Sequence, residues 1–261
     1  MQRPSVPAVL DRADRAASLP RLGGMARADG VVIVSERHWA FAGVDGSLRE
    51  GRMPAPPPGL RRVPLLRGLL RLGSSLSPLF RGTGVARRRE RLFLVFAVLA
   101  PLGLVFVPDR VGLVVGLALT AALVLWLLRG RTLFLHGAEH RAIAAAEFRR
   151  LGDTWNGLAR PSRFSPRCGT NFAALLLPVA TLGQRFWPLP TAAMTPLVVT
   201  VLSLAVTMEL WQLVQASPHR AARVFLIPGL GLQRFTTREP SLDETRVALT
   251  AVAAVLRREL T

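Results

Sequence analysis

The sequence predicts a mainly α-helical integral membrane protein. It reads as about four transmembrane helices, with a small cytoplasmic N-terminal β unit and an amphipathic interfacial helix. Three observations predict this class. Half of the 261 residues are hydrophobic, and the mean hydropathy is +0.34. The chain nevertheless carries 34 basic against 16 acidic residues, a formal net charge of +18. Its arginines gather between the apolar runs, the pattern of spans separated by cationic loops.

The same arithmetic excludes other classes. Apolar material is too plentiful for a wholly disordered chain. Cys168 is the only cysteine, so no disulfide framework is available. All 34 basic residues are arginine and tyrosine is absent, a compositional bias, so the charge is informative by its location. No aromatic-studded basic groove is apparent, and the arginines flank apolar runs; nucleic acid is not expected as a partner.

Along the chain, residues 1–22 read as a disordered tail. Residues 23–59 read as a small β unit and linker. Within them Val31–Ser35 is strand-like, Trp39–Val44 runs to the turn pair Asp45-Gly46, and Met53–Gly59 is a stiff proline-rich linker. Residues 60–91 hold an amphipathic helix and a basic segment. Leu65, Leu69, Leu72 and Leu76 share one helical face over Pro64–Leu76, with Arg67 and Arg71 opposite. That helix suits a membrane surface or packing on the protein's own β unit equally well.

Residues 92–216 form the four-span membrane domain. The apolar segments are Leu92–Val107, Val111–Leu128, Asn171–Trp187 and Thr195–Gln215. A bilayer core of about 30 Å needs roughly 17–25 helical residues, and the third segment is the least uniform, with Pro178, Gln184 and Arg185 inside it. No apolar signal-peptide core precedes the first span. Residues 1–91 hold 17 Arg against 7 acids, the central loop 129–170 holds 8 Arg against 3, and the tail beyond the fourth span holds 7 Arg. The positive-inside rule places both termini and the central loop in the cytoplasm of a multi-pass protein in the bacterial cytoplasmic membrane. The expected partners are the lipid bilayer, through its anionic headgroups, and a membrane protein as partner or substrate. Residues 217–261 are a cytoplasmic loop and a last helix, opened by the capping box Ser241-x-x-Glu244 and closed by Arg257 and Arg258.

The chemistry centres on Phe134-Leu-His136-Gly-Ala-Glu139-His140. On a helix His136 and His140 lie four apart on one face and converge on one ion. Glu139 flanks that face, and Glu147 extends the stripe. The spacing H-x-x-E-H is the inverted zincin pattern, two histidines for a metal and a glutamate as general base. The alternative is a polar helix end whose side chains satisfy one another. Glu209 lies inside the fourth apolar segment, where a carboxylate is costly unless paired. It falls about 21 Å from Thr195 along the helix, toward the cytoplasmic side, within reach of the histidines as a third ligand. The competing reading pairs it with an arginine such as Arg131. Cys168, beside Arg167, is a soft ligand, a nucleophile or inert packing. Arg238 and Glu239 form a polar lead-in to the last helix.

At these residues the chain resembles the YqhQ-like family of uncharacterised bacterial membrane proteins, from about Gly23 to Val247. The motifs are Val63-Pro-Leu-Leu-Arg67-Gly68, His136-Gly-Ala-Glu139-His140 with Glu147, and Arg167-Cys168-Gly169-Thr170. To these add Glu209, Pro228-Gly229 running to Gln233, and Thr236-Thr-Arg-Glu-Pro240. The family's opening motif resembles Gly-Gly-Gln-Ala-Val-x-Glu-Gly-Val. Here Met25 stands for the Gln and Asp29 for the Glu. The resemblance implies a metal-dependent enzyme with no established reaction.

Together these observations predict a divalent metal, zinc preferred, held by His136, His140 and either Glu209 or Glu147, with Glu139 as general base. That set suits hydrolysis of a peptide, amide or ester bond. The alternative is a non-enzymatic membrane scaffold or assembly factor in which the His/Glu cluster is structural.

Overall fold

The computed structural model describes residues 4–55, 57, 59–80, 84–103, 109–189 and 194–260. In chain order the helices are α1 (Val6–Asp14), α2 (Leu66–Phe80), α3 (Arg88–Gly103), α4 (Asp109–Leu127) and α5 (Thr132–Glu147). They continue as α6 (Leu151–Trp155), α7 (Gly169–Arg185), α8 (Thr195–Ala216), α9 (Ile227–Thr236) and α10 (Leu242–Glu259). Four strands, β1 (Gly23–Arg27), β2 (Gly30–Val34), β3 (His38–Gly43) and β4 (Leu48–Arg52), lie between α1 and α2. The chain divides into two compact units. The first is Met1–Ala55, Leu127–Cys168 and Leu230–Thr261; the second is Pro56–Trp126 and Gly169–Gly229.

In the first unit the strands form an antiparallel meander in the order β1-β2-β3-β4. Alternation assigns the faces. Val31, Ile33, Ala40 and Ala42 point into the core, while Val32, Trp39 and Phe41 occupy the other face. The β3–β4 turn uses Gly46 at a φ of +81°, a conformation that glycine adopts without steric cost. Helices α5 and α10 cover the core face. Ala40 and Ala42 meet an equally small face of α10, with Ala248, Ala251 and Val252 fully buried, so helix and sheet approach closely. The capping box predicted at Ser241 is formed, with both reciprocal hydrogen bonds in place. At its other end α10 is tied to the sheet. Arg257 and Arg258 pair with Glu50, and Glu259 accepts hydrogen bonds from Ser35 (2.6 Å) and Arg37 (2.9 Å).

The N-terminal segment departs from the unstructured tail expected for it. Val6–Asp14 is helical, and its Val9, Leu10 and Ala13 join the core. Each such aliphatic burial contributes roughly 1.5–3 kcal/mol for a Val- or Leu-sized side chain. Asp14 also receives the main-chain N–H groups of Leu151 and Gly152 at the start of α6 (3.0 and 2.9 Å).

In the second unit α7 and α2 both pack on α8. The face that α2 turns to α8 is its Arg/Gly face, not the leucine stripe. A Cβ on Gly68 would lie 2.7 Å from that of Met208, and Arg67 and Arg71 bond Glu209 and Gln212. Glu209 is the lone carboxylate of α8, and its need for a cation orients the helix pair.

The four-span reading is overturned. Among the described residues one helix, α8, is long and apolar enough to cross a membrane, judged by length and composition. α3 has 16 residues and α7 has 17. The apolar stretch of α4, Val114–Trp126, is shorter still. These lengths lie at or below the short end of the roughly 17–25 residues that a bilayer core needs. The helices fall close to the predicted segments, and what they lack is length and uniform apolarity: α7 carries Pro178 inside it and ends on Arg185. Part of the first predicted segment, 104–107, lies outside the described residues, as do Pro56 and Pro58 of the linker. The multi-pass location in a cytoplasmic membrane, and the placing of both termini inside the cell, rested on four spans and fall with them.

Candidate metal centre

The candidate centre lies wholly in the first unit, on α5 and the loop that follows α6. The alanine-rich sequence of α5 suits a helix packed on both sides. Leu135, Ala138, Ala142 and Ala145 enter the core. The opposite side carries His136, Glu139 and His140 beneath two covering segments. One is residues 237–240: the Arg238 N–H donates to the Leu133 carbonyl (2.9 Å), and a Cβ on Gly137 would collide with the Arg238 carbonyl. The other is residues 161–168. Buried Gln233 holds it like a strand partner, accepting from the Ser165 N–H and donating to the Ser165 carbonyl, both at 2.8 Å.

Three ligand atoms meet there. His136, His140 and Cys168 each present one donor, and the three lie within 4.8 Å of one another. The Cys168 Sγ is 3.3 Å from the His136 Nε2. Two carbonyls set the tautomers: the Nδ1–H of His136 donates to Thr236 (2.8 Å) and that of His140 to Arg163 (2.6 Å). Each Nε2 lone pair is thereby left for a ligand. Arg163 is itself held, its Nη1 donating to the Thr237 carbonyl (2.9 Å) and hydroxyl (2.5 Å). A Glu139 oxygen lies 3.9 Å from both Nε2 atoms.

Burial controls the charges. It lowers the His136 pKa, opposed by the Thr236 carbonyl, and brings His140 down to about 3, with a contribution from neighbouring His136. It pushes Glu139 up to about 8. The imidazoles are therefore neutral at pH 7, the form that binds metal. The group could hold a metal ion. Two imidazoles and a thiol are the donor types that zinc accepts, and its tetrahedral ligands stand about 3.3–3.8 Å apart.

The other predicted residues take different places. Glu147 pairs with Arg167 at 2.5 Å. Glu209 belongs to the second unit, where Arg67 and the Leu65 N–H bind it. Arg131 pairs with Glu244. Glu239 accepts from Arg141 at 2.5 Å and lies 3.6 Å from Arg163, and the Arg238 side chain is exposed. His38 is half-buried, 3.0 Å from Glu259. Sequence reasoning passed over Gly24. A Cβ there would lie 2.8 Å from the Glu139 carboxylate, so the strand backbone rests directly on that group. The paired glycines of the opening motif were the available signal.

Fold and site together define an α+β unit with a buried His/His/Cys cluster. Residues 111–258, more than half of the chain, match the family described as protein of unknown function DUF1385, and the chain belongs to that family. The match takes in His136, Glu139, His140, Cys168 and Gln233, and it does not carry the YqhQ-like name. No curated protein and no solved structure matches the chain.

Proposed function

We propose that His136, His140 and Cys168 hold one zinc ion and that the protein is a metal-dependent hydrolase of a peptide, amide or ester bond. The observation that carries this reading is the convergence of three donors beside a buried carboxylate equidistant from both imidazoles. When bound, the ion supplies Lewis-acid polarisation of a carbonyl oxygen and acidification of water. The thiol favours zinc over manganese, which prefers oxygen donors. Glu139 would take a proton from the attacking water and return it to the leaving group, the cation beside it favouring the charged carboxylate over the protonated form that burial favours without metal. The Thr236 and Arg163 carbonyls keep the imidazoles aimed. The Gly24 backbone rests against Glu139, which is buried.

Glu139→Gln is expected to retain metal and to lose the ability to replace the wild-type gene in a deletion strain. Full replacement by this variant supports the scaffold reading instead, with the cluster structural. The short Cys168–His136 contact also favours a second reading, a thiol nucleophile with imidazole as its base. Stoichiometric, Cys168-dependent metal in the purified protein decides against it.

For a partner, we propose a lipid surface with anionic headgroups. The second unit exposes the large apolar side chains Leu125, Leu177, Phe186, Leu213 and Phe225, the kind of surface that a lipid phase can cover. Exposed Arg87, Arg88 and Arg89 stand at the head of α3. Flotation with vesicles containing phosphatidylglycerol, weaker with phosphatidylcholine alone, is the expected result.

A further inference from the structure

A cleft of about 280 Å³ in the first unit takes no part in holding the cluster. Its walls are Leu19, Pro20, Leu22, Ile143 and Ala146, and its rim carries Arg21, Arg149, Arg167 and Glu147. Three cations stand against one carboxylate. Arg167 holds that carboxylate, and Arg149 donates to the Ala13 and Ala16 carbonyls (both 2.8 Å). Arg21 is exposed, with no ion pair among the described residues. The cleft also adjoins the cluster along the chain. Ile143 and Glu147 follow His140 on the same helical stripe, about 4.5 and 10.5 Å along the axis, and Arg167 directly precedes Cys168.

We propose that this cleft is the subsite for an anionic group of the substrate, a carboxylate or phosphate ester joined to a short apolar moiety. Arg21, which has no ion pair among the described residues, binds the anion beside the Arg167–Glu147 pair, and Leu22, Ile143 and Ala146 bind the apolar part. The volume admits a group the size of one amino-acid side chain and sits at the lower edge of the ~300–1,000 Å³ typical of ligand pockets. Guanidinium is the side chain best matched to carboxylate and phosphate oxygens. The inference rests on the hydrolase reading only in calling the ligand a substrate.

The test is calorimetric titration of the detergent-purified full chain with N-acetyl-L-leucine, butyl phosphate and the neutral N-acetyl-L-leucinamide. At least one anion is expected to bind ten-fold or more tighter than the amide. Arg21→Gln, at an exposed position outside the core, is expected to weaken that anion at least five-fold, and Arg21→Lys to restore most of it. A carboxylate preference points to a peptide-like substrate, and a phosphate preference to a phosphate ester such as a lipid headgroup. Equal binding of the amide, or full anion affinity in Arg21→Gln, overturns the proposal. Metal content measured on the same samples separates the two readings. Arg21-dependent anion binding without metal sinks the hydrolase and spares the cleft; metal without anion binding does the reverse.

Discussion

The Cys168 sulfur lies 3.3 Å from the Nε2 of His136, although 32 residues separate them in sequence. Loop 161–168 brings them together, and the contact makes the cysteine the third donor. Cobalt(II)-substituted protein is therefore expected to show a sulfur-to-metal charge-transfer band that Cys168→Ser abolishes. Glu147→Gln and Glu209→Gln should leave the band unchanged, because Arg167 and Arg67 already hold those carboxylates.

Gly24 sits against the Glu139 carboxylate with no room for a methyl group. Gly24→Ala should destabilise the first unit by about 1–3 kcal/mol, the usual cost of overpacking. It should also displace Glu139, so that activity falls further than stability alone explains. Chemical denaturation paired with the complementation assay reads both effects; loss of neither contradicts the packing described.

Gln233 is fully buried and exchanges two hydrogen bonds with Ser165. Gln233→Leu leaves both Ser165 main-chain groups without this partner, at about 1–3 kcal/mol each where they stay buried. Cys168 lies three residues on, so metal affinity is expected to fall 10–100-fold, the range for groups that position metal ligands. A competition titration with a chelator of known affinity measures it.

Glu259 supplies a pH dependence. Burial opposes its charge, but hydrogen bonds from Ser35, His38 and Arg37 outweigh that and hold its pKa below the usual 4.5. A carboxyl with a depressed folded pKa contributes stability above its unfolded pKa, and this is lost as pH falls through the folded value. Glu259→Gln should therefore destabilise the first unit at pH 7, and the gap to wild type should narrow below pH 4.5. A gap that persists at pH 3 assigns the effect to shape instead of charge.

Local signals were legible in the sequence wherever the chain itself sets the geometry. The Asp45-Gly46 turn, the two central strands and the Ser241–Glu244 capping box each depend on a few adjacent residues. So does the shared helical face of His136 and His140. The third donor was not legible, because its approach depends on Gln233 gripping Ser165, a contact 68 residues apart in sequence. Glu209 was expected near the histidines because its depth along an apolar helix was converted into proximity by assuming a membrane frame. The structure shows its partner as Arg67, on the face of α2 opposite its leucines. The span count failed on length and uniformity: among the described residues only α8 joins an apolar run to enough helical turns.

The most direct measurement is elemental analysis of protein purified without chelators, with His136→Ala, His140→Ala and Cys168→Ser prepared in parallel. The account predicts close to one zinc per chain in the wild type and a marked loss in each variant, with Glu139→Gln still loaded. Wild type free of metal, or a Cys168→Ser protein that binds zinc as tightly as wild type, contradicts it.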